Sequence, residues 1–172
     1  EINILAQKKC NLVYNPKSNM KLASGVFPYK KIKKAKINIC LGTDGPASNN
    51  NLDIFEEIKF ASLLQKIKEM DPTIAPAKEI IKMATENAAK ALKINAGKIE
   101  IGRLADLILI DLNKTYFQPR YNFFSNLVYA ANSESISEVI CDGKIIMRNR
   151  KIEGEEKIKK EFEKKVKNLT RK

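Results

Sequence analysis

The sequence has no histidine, so it offers no imidazole as a metal ligand and none as a general base near neutral pH. It has no apolar run approaching the roughly 20 residues that cross a bilayer. Its first residues mix charge and polarity without the apolar stretch of a signal peptide. No membrane partner is therefore expected, and a cytoplasmic location is. Cysteine is scarce: Cys10, Cys40 and Cys141 stand far apart, two of them inside apolar runs. That pattern reads as buried thiols in a reducing compartment rather than disulfides or metal ligands. Aromatic residues make up 7% of the chain and do not gather beside its lysines, which leaves no platform for stacking bases.

What is present has the balance of a folded protein. The 172 residues, 44% hydrophobic and 30% charged, suffice for one packed domain or a piece of a larger one. A formal charge of +12 raises nucleic acid as a partner. The lysines are spread, however, with one cluster over 30–36 and another after Gly154 that is interleaved with Glu155, Glu156, Glu161 and Glu163. A solvated surface of mixed sign is the better reading, and no nucleic-acid partner is expected.

Ile2, Leu5 and Ala6 at helical spacing predict a helix over 1–9, and with no capping residue before it the chain reads as starting mid-helix. A short strand is predicted over 11–14, running into a loop of turn-forming residues over 15–19. Residues 30–35 read as exposed helical turns, and 37–41 as a compact strand suited to burial on both faces. Asn51 is the expected N-cap of a helix whose stripe includes Phe55, Ile58, Leu63 and Ile67, and one alanine-rich helix is expected over 77–92. Beyond Gly97 and Gly102 short strands take over: one over 104–110, then a hairpin around Asp142-Gly143. A closing helix carries Ile158, Phe162, Val166 and Leu169 on one side. The fold class is α/β. The expected units are 1–96, the end of a parallel α/β structure; 97–153, part of a small β-domain; and 154–172, a C-terminal helix. Two strands of barrel type fall well short of the eight, and the roughly 250 residues, of a closed (β/α)8 barrel.

The sharpest local feature is Ile39-Cys40-Leu41-Gly42-Thr43-Asp44-Gly45. An acid just past a buried strand sits at the mouth of a parallel barrel, where catalytic groups collect. The same Asp44 would equally serve to cap the loop through an Asx-turn, and spacing alone does not choose between these.

Four blocks, in order, resemble signatures of the amidohydrolase superfamily, in the branch of methylthioadenosine/S-adenosylhomocysteine deaminases and related chlorohydrolases. They are Asn15-Pro16-Lys17-Ser18-Asn19-Met20-Lys21-Leu22-Ala23-Ser24-Gly25, Leu41-Gly42-Thr43-Asp44-Gly45-Pro46-Ala47-Ser48-Asn49-Asn50, Ala84-Thr85-Glu86-Asn87-Ala88-Ala89-Lys90-Ala91-Leu92, and Gly102-Arg103-Leu104-Ala105-Asp106-Leu107-Ile108. The resemblance implies the C-terminal portion of a (β/α)8 amidohydrolase barrel plus part of a small β-sandwich domain. It also implies hydrolytic deamination of an adenine-containing metabolite such as methylthioadenosine or S-adenosylhomocysteine, with one zinc ion in the full-length protein. Asp44 matches the aspartate that ligates this zinc and carries a proton. Ser48 matches a substrate-contacting position, although a hydroxyl there also suits a helix N-terminus. Ser18 and Asn19, in the other strand-end loop, are further candidates for substrate binding. Asn122 and Ser125 are expected to be structural, and Asp106 to be a buried hydrogen-bonding group.

The histidine ligands of the family fall in segments that would precede Glu1, which aligns just after the sixth barrel strand; about 250 residues would lie upstream by analogy with barrel sizes. Tyr14 stands where relatives commonly carry histidine, a position expected to shape the pocket. The partners this implies are a nucleoside-type small molecule and either a complementary N-terminal half or a second copy. The alternative is a catalytically inactive fragment or interaction subunit without the metal site.

Overall fold

The computed structural model describes residues 1–170. Helix α1 (Ile2–Gln7) leads into strand β1 (Asn11–Tyr14), helices α2 (Pro16–Lys21) and α3 (Tyr29–Lys34), and strand β2 (Asn38–Leu41). β1 and β2 pair in parallel with Asn11 opposite Asn38 and Tyr14 opposite Leu41. Parallel pairing with aligned ends brings both following loops out at the same edge, the edge where strand-end residues of α/β folds meet ligands.

The expected loop over 15–19 is instead the start of α2. Pro16 occupies the first turn, where its fixed φ and missing N–H cost nothing. After β2 comes the one-turn helix α4 (Pro46–Asn49), then the long helix α5 (Ile54–Glu69). Asp53, not Asn51, caps α5, its carboxylate accepting from the Phe55 N–H at 2.8 Å. The buried face of α5 also differs from the expected stripe: Phe55, Glu57, Ile58, Ala61, Ser62 and Gln65 are inside, whereas Leu63 and Ile67 are exposed.

The predicted helix over 77–92 is two helices, α6 (Ala77–Ala84) and α7 (Glu86–Leu92). Thr85 breaks it with φ −126° and ψ −92°, its hydroxyl donating back to the Ile81 carbonyl at 2.9 Å, a local bond that competes with helix continuation. The main core joins β1 and β2 to α3, α5, α6 and α8 (Phe123–Tyr129) through Tyr14, Ile32, Ile39, Leu41, Ile58, Ile80, Met83 and Val128. Burying each such side chain stabilises the fold by about 1.5–3 kcal/mol relative to exposure. Asn122 caps α8 by accepting from the Ser125 N–H at 2.9 Å, the structural role expected for both residues.

The second sheet is antiparallel, in the order β3 (Leu107–Ile110), β4 (Ile136–Cys141), β5 (Lys144–Met147). Asp142 and Gly143 both have positive φ, 48° and 75°, as a two-residue hairpin turn requires. Asp106 is exposed rather than buried; its carboxylate accepts the Asp142 N–H at 2.8 Å beside that turn. Phe55 at the start of α5 packs with Phe117 and Ala131 against Ile110 and Ile136, which anchors this sheet to the first unit. Helix α9 (Glu155–Thr170) closes the described chain with Ile158, Phe162 and Leu169 exposed. Of the three free thiols only Cys40 is buried; Cys141 is exposed because it ends β4 at the hairpin turn. No helix among the described residues is long and apolar enough to cross a membrane.

Candidate active site

The two loops that leave the aligned ends of β1 and β2 meet through their side chains. The Ser18 hydroxyl, on the first turn of α2, donates to Asp44 Oδ2 at 2.6 Å. Asp44 Oδ1 accepts the Gly45 N–H at 2.8 Å. Asp44 lies in the left-handed region at φ 61°, a conformation that aspartate tolerates better than bulky residues do. Ser18 is buried, whereas Asp44 is exposed at the open end of the strands.

These contacts hold the Asp44 carboxyl below the usual carboxylate range. The Ser18 hydroxyl acts most strongly, the Ser48 hydroxyl next and the Gly45 N–H third, against a small opposing cost of desolvation. Ser48 also donates to the Gly45 carbonyl at 3.1 Å. Asp44 is thus tied locally to Gly45, as the capping reading expects, while its carboxylate, held by Ser18, remains exposed at the strand-end edge. Asn19 is half-buried; its N–H donates to the Asn15 carbonyl at 2.9 Å and its carbonyl accepts from Ser24, within the backbone of α2 and the turn after it.

Close packing of the two loops is made possible by Gly42. A Cβ at Gly42 would stand 2.6 Å from Asn15 Oδ1 and 2.8 Å from a Val13 methyl group, so any larger residue requires those side chains to shift. Tyr14 does not shape this edge. It is 1% exposed, stacks on Phe27 with ring centroids 4.6 Å apart, and its hydroxyl accepts from Gln65 of α5 at 3.2 Å. Its side chain belongs to the helix layer, because strand alternation sends residue 14 to the face opposite Val13. Desolvation is the main cause holding its phenol above the ordinary range.

A buried polar group behind the site has no counterpart in the sequence reading. Glu57 is fully buried, accepting from the Lys17 N–H at 3.1 Å and from Asn49 Nδ2 at 2.7 Å. Asn49 Nδ2 also donates to the Thr43 carbonyl at 2.6 Å. The available signal was spacing: Glu57 stands four residues before Ala61 and eight before Gln65, on the inward stripe of α5.

The donor set bears directly on metal binding. Among the described residues no three His, Cys, Asp or Glu side chains gather into a cluster, and a catalytic zinc site takes about three protein ligands. Asp44 is an accessible single donor, one ligand's worth of such a site. Two apolar concavities lie elsewhere. One, of about 610 Å³, runs along the outer face of α5 past Leu63, Ile67 and Met70; the other, of about 460 Å³, lies between α5, α6 and the antiparallel sheet.

A parallel strand pair carrying an acid at its C-terminal edge, followed by a small antiparallel sheet, is an α/β arrangement, and residues 1–146 match the model of the amidohydrolase family. The chain belongs to that family. It is 53% identical over 147 residues to the 5-methylthioadenosine/S-adenosylhomocysteine deaminase of Thermococcus sibiricus, covering 86% of this chain and 35% of the relative. Against the 5'-deoxyadenosine deaminase of Methanococcoides burtonii the identity is 49% over 152 residues, covering 88% of this chain and 35% of the relative. The crystal structure of an adenosine deaminase from Xanthomonas campestris with bound zinc superposes with a TM-score of 0.84 at 37% identity, over 88% of this chain and 35% of that one. The chain thus spans about a third of the length of these relatives. Its fold is α/β and corresponds to part of an amidohydrolase structure.

Proposed function

We propose that this chain is the C-terminal part of a zinc-dependent deaminase that hydrolytically removes ammonia from an adenine-containing metabolite such as methylthioadenosine, S-adenosylhomocysteine or 5'-deoxyadenosine. The observation that carries the reading is the position of Asp44: an ionised, exposed carboxylate at the C-terminal edge of a parallel strand pair, in a chain about half identical to deaminases of such nucleosides. In this reading 1–96 contributes the last barrel strands and helices, 97–153 part of the small β-domain, and 154–172 the C-terminal helix, of which 171–172 lie outside the described residues.

Asp44 is one zinc ligand. When bound, zinc supplies a water of lowered pKa as the nucleophile. Asp44 would hold a proton at its carboxylate and pass it to the leaving amine. Ser18 holds Asp44 ionised and oriented. Ser48 of α4 and Asn19 of α2, the helices that follow the two strands, are assigned to substrate contact. The remaining ligands, which must include imidazoles this chain lacks, come from a complementary N-terminal segment. The substrate is a small molecule and not a nucleic acid; Lys30 and Lys33 of the basic cluster pair with Glu69 and Glu79, which lowers the free positive charge on that face.

The test joins this chain in frame behind the upstream part of the Thermococcus sibiricus relative. The zinc-loaded chimera is expected to release ammonia from methylthioadenosine or S-adenosylhomocysteine, and Asp44→Asn to lower the rate about 10²–10⁴-fold. A folded, zinc-loaded chimera that deaminates no adenine nucleoside would refute the assignment. The isolated chain is expected to be silent, because Asp44 is a lone donor.

A further inference from the structure

The residues immediately before Ser18 and Asp44 are tied to one buried carboxylate. Lys17 precedes Ser18, and its N–H donates to Glu57 Oε2 at 3.1 Å. Thr43 precedes Asp44, and its carbonyl accepts from Asn49 Nδ2 at 2.6 Å, the same amide group that donates to Glu57 Oε1 at 2.7 Å. We infer that Glu57 is a positioning residue: through Lys17 and Asn49 it sets the spacing between the two strand-end loops, so that Ser18 Oγ reaches Asp44. The inference rests on Asp44 being the reacting carboxylate.

The chemistry of the contacts selects a carboxylate. Both groups that reach Glu57 are donors, an amide N–H and an NδH2, and an ionised carboxylate is the side chain that accepts at two oxygens and donates nothing. Glutamine of the same size accepts at only one oxygen and points its NH2 at the other donor. Burial pushes the Glu57 carboxyl above its ordinary value, while the bonds from Lys17 and Asn49 pull against that shift. Of the other links, the part-buried Lys17 Nζ pairs with Glu56 of α5, and at the surface Lys21 Nζ reaches the Ala47 carbonyl at 3.0 Å and also Asn50. Exposed contacts of this kind contribute little to holding a geometry. The Glu57 contacts are shielded, so losing either one leaves a buried polar group unpaired.

The experiment uses the 172-residue chain labelled for NMR, with core amides of β1 and β2 as the control for folding. In Glu57→Gln the Lys17 amide is expected to exchange about tenfold faster, the effect of one lost hydrogen bond, while the control amides keep their rates. The Asp44 carboxyl carbon resonance at pH 7 is expected to move toward its value in Ser18→Ala, and the double variant to match Ser18→Ala alone. Asn49→Ala cuts only the arm to Thr43; it should shift the Asp44 resonance and leave Lys17 protected. An unmoved Asp44 resonance in a folded Glu57→Gln chain, additive shifts in the double variant, or loss of folding in both variants would each overturn the inference. None of these readouts involves zinc or turnover, so their failure is separate from a failure of the deaminase reading.

Discussion

Ser18 and Asp44 lie 26 positions apart, and their hydrogen bond is the largest of the contacts that lower the Asp44 carboxyl. The native Asp44 carboxyl lies below its unfolded value, chiefly because of Ser18. The unfolded chain therefore binds more protons in the acid range, so stability rises with pH there. The contribution is fully present above the ordinary carboxylate range and is lost as pH falls through the depressed native value. Ser18→Ala should raise the Asp44 midpoint toward the ordinary range, measured by carboxyl-carbon NMR titration, and should flatten the acid limb of the stability curve. Asp44 itself was legible in the sequence because glycines flank an acid beyond an apolar run. Its partner Ser18 was legible as a candidate, but no spacing rule connects two residues joined only by a parallel strand pairing. Tyr14 was placed at the pocket by resemblance, whereas strand alternation turns it to the helix layer and against Gln65.

Among the elements, the end of β2 is closely packed. At Gly42 a methyl group would meet Asn15 Oδ1 and Val13 at under 3 Å. Gly42→Ala is therefore expected to destabilise the chain by about 1–3 kcal/mol through overpacking, read as a lowered denaturant midpoint. The Ser18–Asp44 contact should loosen with it. Strands β1 and β2 and the hairpin at Asp142-Gly143 were recognisable from apolar runs and turn chemistry. The break at Thr85 was not, because alanine-rich flanks favour a continuous helix and the interruption depends on a side-chain bond to Ile81 together with the fit of Gly97 against the Thr85 carbonyl. The inward face of α5 was misassigned for a related reason: periodicity assumes apolar residues inside, while Glu57, Ser62 and Gln65 are buried with polar partners.

For the whole molecule, the decisive facts are the two-stranded parallel sheet and the lack, among the described residues, of a cluster of three metal-ligating side chains. Parallel sheets are normally covered on both faces, yet Val13 is 56% exposed, consistent with strands that await neighbours on that side. The isolated chain is expected to bind zinc well below one equivalent by elemental analysis after dialysis, and the chimera close to one; stoichiometric zinc in the isolated chain would mean that Asp44 has partners other than those argued here. The sequence by itself determined the α/β class and the family and singled out Asp44 as the candidate carboxylate, because these reside in local runs and motifs. Only the tertiary structure decided that Ser18 serves Asp44, that Tyr14 turns away and that Glu57 stands behind both loops. Those relations depend on which distant backbone groups the parallel register and the packing of α5 bring within hydrogen-bond distance.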